Sequence, residues 1–87
     1  MIQVVKITEE IFQVTVKEKS TTIHLVTLSE EVYKKISGSK ISKLELVKKS
    51  FEFLLERESN NSILKKFNLE IIENYFPEYQ NLIKKYF

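Results

Sequence analysis

Residues 41–58 (ISKLELVKKSFEFLLERE) constrain the fold more than any other stretch. They open on a Ser-x-x-Glu capping box, in which the Ser42 hydroxyl accepts from the Glu45 amide and the Glu45 carboxylate reaches back to the Ser42 amide. Ile41 and Leu46 stand at the two positions of a hydrophobic staple. Leu44, Val47, Phe51, Leu54 and Leu55 then recur at helical spacing and make one apolar face. Glu45, Lys49, Glu52 and Glu56 fall on the opposite face, spaced to pair along the helix. Leu46, Ser50, Phe53 and Arg57 form a further, partly apolar strip. A helix that is apolar on two flanks needs cover on two sides. Strands have to roof one flank, and later segments or a second copy the other.

The rest of the chain supplies candidates for both roofs. Residues 2–8 (IQVVKIT), 11–17 (IFQVTVK) and 21–28 (TTIHLVTL) are rich in β-branched residues and bounded by short polar segments. Such short connections favour antiparallel neighbours. A short helix follows, with Thr27 or Ser29 as N-cap, Glu30 and Glu31 at its positive end, and Gly38 just past its end. Beyond the central helix, residues 59–62 (SNNS) mark a break. Residues 63–67 then read as a short helix, 69–75 as another, and Pro77 as the first position of a last one.

The expectation is a single α+β domain over residues 1–87. An N-terminal three-stranded antiparallel β-meander (1–28) precedes a helical part (29–87): a short helix, a long central helix and two to three short C-terminal helices. The central helix covers one sheet face and the short helices wrap the other side. Val14, Val16, Ile36, Leu44, Val47, Phe51, Leu54, Leu55, Leu64, Phe67, Ile71 and Ile72 are expected to point inward.

The second half resembles a family of short, uncharacterised prokaryotic proteins. Ser50-Phe51-x-Phe53-Leu54-Leu55-Glu56-Arg57-Glu58, Ser62-Ile63-Leu64, Phe67-x-Leu69 and Tyr75-Phe76-Pro77-Glu78-Tyr79 carry the likeness, which covers about a third of the chain closely. Members of that family often have Asp where this chain has Asn68, a stronger N-cap. The resemblance implies an architecture and supplies no mechanism.

Composition narrows the function classes. Net charge is only +2, so no global field points to nucleic acid or a membrane. There is no Cys, hence no disulfide or thiolate chemistry, and no apolar run approaches a membrane span. The start of the chain reads as a strand and not as a signal peptide, so a cytoplasmic location is expected. His24 is the lone histidine, without the ligand spacing of a metal site. No catalytic residue, cofactor or metal is expected.

Two surfaces remain. Lys34, Lys35, Lys40, Lys43, Lys48 and Lys49 gather around the start of the central helix; Lys35, Lys40, Lys43 and Lys49 are the candidates for holding an anion or a phosphate backbone. Leu46, Phe53, Tyr79, Tyr86 and Phe87 are the candidates for a contact surface. The leading functional expectation is a small non-catalytic protein-interaction module that forms a homodimer or binds another protein. The alternatives are weak nucleic-acid or anion binding through the lysines, and a small enzyme using His24. Residues 62–75 also resemble a helix-turn-helix in outline, but Glu70, Glu73 and Asn74 on its reading helix disfavour phosphate contact.

Overall fold

A computed structural model describes all residues from Met1 to Phe87. Three strands, β1 (Ile2–Lys6), β2 (Ile11–Lys17) and β3 (Thr21–Thr27), form the expected meander. Their register aligns Val4, Val14 and His24 in one row and Val5, Gln13 and Leu25 in the next. Side chains alternate across the pleat. Phe12, Val14, Val16, Thr22, His24 and Val26 therefore share the buried face, while Ile23 and Leu25 stay on the other.

Helices α1 (Glu30–Ser37) and α2 (Lys43–Leu55) follow. Ser29, not Thr27, caps α1, its side chain accepting from the Val32 amide. Gly38 (φ +61°) ends the helix in the left-handed region, and Ser39 (φ +63°) continues it. Glycine occupies that region without steric cost, whereas Ser39 is held there with its amide bonded to the Ser37 hydroxyl at 3.0 Å. Ser42 caps α2 at 3.1 Å from the Glu45 amide; the Glu45 side chain itself remains exposed.

One expectation for the last third is overturned, and a disfavoured reading falls with it. Residues 63–67 are not helical: Lys66–Asn68 is a fourth strand, β4, parallel to β3 and paired Leu25 to Lys66, Val26 to Phe67 and Thr27 to Asn68. The far edge of β3 carried backbone donors and acceptors that needed partners, and this segment supplies them. A five-residue run is also too short to nucleate a helix by itself. With a strand at its centre, the helix-turn-helix reading falls. Asn68 then caps the next turn, accepting from the Glu70 amide at 3.1 Å, and a 3₁₀ turn (Leu69–Ile71) leads into α3 (Ile72–Tyr75). After Pro77 come α4 (Tyr79–Leu82) and a closing 3₁₀ turn (Ile83–Tyr86).

The core forms where α2 lies between the sheet and this C-terminal segment. On the sheet side, Phe51 meets His24 and Phe67 at ring-centroid distances of 5.3 and 6.0 Å. On the other flank, Phe53 meets Tyr79, Phe76 and Tyr86 edge-on at 5.3, 6.0 and 6.4 Å. The chain thus covers its own second flank. Leu44 and Leu64, expected inside, are 38% and 45% exposed, and Leu55 and Ile71 are half-buried. Leu44 sits in the first turn of α2, ahead of the buried run that starts at Leu46, and Leu64 precedes β4 with its carbonyl, not its side chain, turned inward. The outer face of the sheet stays bare, because the short C-terminal helices expected to wrap it pack on the far flank of α2 instead.

Candidate functional site

His24 lies in the core, not in a cleft. Alternation along β3 places it beside Thr22 and Val26 at 0% exposure. Its Nδ1 is 2.7 Å from the Leu64 carbonyl and its Nε2 2.8 Å from Thr22 Oγ1. The carbonyl can only accept, so Nδ1 carries the proton and Nε2 accepts from the Thr22 hydroxyl. Thr22 Oγ1 in turn accepts from Asn60 Nδ2 at 3.0 Å, and the same amide donates to the Ser20 carbonyl at 3.0 Å. The protons run in one direction, from Asn60 through Thr22 and His24 to Leu64. Protonating Nε2 would break that order, and burial pushes the imidazole below its ordinary pKa. Both ring nitrogens are engaged, which makes this histidine a tie between β3 and the segment leading to β4.

The lysines around α2 are largely neutralised. Lys43 Nζ is 2.9 Å from Glu30, which holds its ammonium above the usual range, and Lys34 approaches the same carboxylate at 4.0 Å. Lys35 bridges Glu70 and Glu73 at 3.3 and 3.6 Å, its pKa raised chiefly by the hydrogen bond to Glu70. Lys49 reaches Glu52 at 3.7 Å. Lys40 and Lys48 make no ion pair. A depression over Lys6, Glu9, Glu30 and Lys43 thus presents both signs of charge. The folded surface offers no concentrated positive field there.

The apolar candidates divide. Leu46, Phe53 and Tyr79 are 0% exposed within one chain, so they are core and cannot meet a partner. Sequence spacing marked their flank as needing cover, and Pro77 turns the chain back to provide it. Tyr79 donates its hydroxyl to Ser50 Oγ at 2.6 Å, because Ser50 donates to the Leu46 carbonyl at 2.7 Å. Burial holds the Tyr79 phenol far above its ordinary range. Tyr86 is half-buried and donates to Glu56 at 2.7 Å, while Phe87 is 37% exposed. Arg57 lies over the Phe53 ring, 3.7 Å from its centroid, and bonds the Phe53 carbonyl at 3.0 Å. Its carboxylate partners are Glu78 at 3.5 Å and Glu56 at 3.8 Å. Exposed ion pairs contribute little, so Arg57 serves mainly as a cap over that ring.

No family model, no curated protein and no solved structure matches this chain.

Two features remain that no intrachain contact satisfies. The first is the outer sheet face, where Val5, Ile7, Ile23 and Leu25 are 54%, 52%, 53% and 38% exposed. Gln3, Thr15 and Ile23 form one row across it, and Val5, Gln13 and Leu25 the next. No charge falls in either row across β1 to β3, although 30% of the chain is charged; Lys66, paired with Leu25 on the edge strand β4, ends the second row. The second is a hollow of about 120 Å³ where the end of α2, the segment before β4 and α3 meet. Eight of its ten lining residues are hydrophobic, Leu54, Ile63, Phe67 and Phe76 among them, and Leu64 and Tyr75 stand exposed at its walls. Glu58 is its one carboxylate. Period-two alternation could have revealed the first feature. The second depends on chain segments that meet only in the fold.

Proposed function

We propose that this chain is a small interaction module that pairs with a second copy of itself through the outer face of its sheet. The observation that carries this reading is the uncharged patch of exposed Val5, Ile7, Ile23 and Leu25. A two-fold interface sets a patch against its own copy. Like charges facing each other destabilise such a contact, so a neutral centre is what a self-pairing face requires. A neutral face gives no attraction to phosphates or to an anionic membrane surface. Lys17 and Lys66 lie at its margins, where rim charges are solvated.

Size sets the strength. Strands of five, seven, seven and three residues, about 4.8 Å apart, present roughly 360 Å². Stable complexes cover about 800 Å² per partner. The pairing is therefore a reversible, concentration-dependent one and not an obligate dimer. Sedimentation equilibrium over about 10 μM to 1 mM should resolve monomer and dimer. Ile23→Lys, at an exposed position, should leave the far-ultraviolet circular dichroism unchanged and abolish the dimer. A chain that stays monomeric throughout, or a dimer indifferent to Ile23→Lys, overturns the reading.

A further inference from the structure

We propose that the hollow beside α3 binds a small primary amine carrying one phenyl-sized or branched aliphatic group, with the Glu58 carboxylate holding the ammonium. The proposal is independent of how the sheet face is used.

Volume comes first. An apolar cavity of about 150 Å³ accommodates benzene, so about 120 Å³ suits a single ring or a leucine-sized group. The lining is apolar on the sides contributed by Leu54, Ile63, Phe67, Ile72 and Phe76. The hollow is open to solvent, with Leu64 45% and Tyr75 64% exposed beside it, so a ligand can enter without the core unfolding.

Charge then selects the polar end. Eight of the twelve glutamates have a cation in reach (Glu9, Glu18, Glu30, Glu52, Glu56, Glu70, Glu73 and Glu78), and of the other four Glu10, Glu31 and Glu45 are exposed to water. Glu58 pairs with none. The neighbouring Arg57 is committed to Phe53, Glu56 and Glu78. Burial alone pushes the Glu58 carboxyl upward, and no hydrogen bond or charge offsets it. A half-buried carboxylate beside an apolar hollow lacks a donor that carries positive charge. An ammonium supplies both, and bonds of this charge-assisted kind are about twice as strong as neutral ones. An anionic ligand would meet repulsion, and a neutral one would leave the carboxylate stripped of water for no return.

The test is an amide-resolved NMR titration of the full chain at pH 7.5 with three probes of one shape: phenethylamine, phenethyl alcohol and phenylacetate. The amine should shift the amides of Leu64, Phe67 and Tyr75 saturably and bind at least about tenfold more tightly than the alcohol. Phenylacetate should not bind. Glu58→Gln should remove that advantage while leaving the alcohol's affinity unchanged. Ser62→Phe, at an exposed lining position, should fill the opening and weaken both. Equal affinity for amine and alcohol, indifference of the amine to Glu58→Gln, or no saturable shift at these amides overturns the proposal.

Discussion

His24 decides how this fold responds to acid. In the folded chain its pKa lies below the ordinary value of 6.5 because burial disfavours the imidazolium. Between the folded and unfolded values the unfolded chain binds more protons, so stability rises with pH. The contribution is complete above about pH 6.5 and is lost as pH falls below it. Glu58 works in the opposite sense: its carboxyl is raised by burial, so protonation at lower pH favours the folded state. Urea midpoints should accordingly fall between pH 7.5 and 5.5, and His24→Gln should flatten that slope while lowering stability at both pH values. A slope that survives His24→Gln would assign the pH response to other groups. Period-two alternation along residues 21–27 is enough to put His24 on the face opposite Ile23 and Leu25. What it could not supply was Asn60, which reads as a loop residue until the fold brings it 3.0 Å from Thr22.

Among the elements, α2 and the C-terminal segment are joined by aromatic packing around Phe53. Phe53 touches three aromatic rings and the Arg57 guanidinium. Phe53→Ala should cost about 3–5 kcal/mol, the range for emptying a large aromatic site. Leu64→Ala removes an exposed side chain but keeps the carbonyl that His24 uses, and should change stability by less than about 0.5 kcal/mol. Denaturant titration of the two variants separates packing from backbone anchoring. The elements with a clear period were legible in the sequence: β2 by strict alternation, α1 and α2 by caps and helical spacing. β4 was not. Three residues carry no period, and their conformation is decided by the free edge of β3, more than thirty residues earlier. The same limit hid the hollow, whose Glu58 reads as the tail of a helix until residues 63–76 close around it.

At the scale of the molecule, the helical side is covered apart from the hollow beside α3, and the outer sheet face is bare throughout. Every buried side-chain nitrogen and oxygen has a partner, so the interior asks for nothing from outside. The bare face asks for apolar cover, and a net charge of +2 sets up little repulsion between copies. A native chain that pairs gains stability by mass action. The thermal midpoint should therefore rise with protein concentration in the original chain and lose that dependence in Ile23→Lys. A midpoint independent of concentration would place both at the stability of a lone chain. The need for two roofs over α2 was readable from spacing alone; which roof would be left without its own outer cover was not.

Phe67 belongs to two structures at once: it pairs with Val26 as the middle residue of β4, and its ring walls the hollow. Occupancy of one is therefore energetically joined to integrity of the other. A guest that grips the ring makes fraying of the last strand costlier, and by the same reciprocity anything that peels this strand from the sheet evicts the guest.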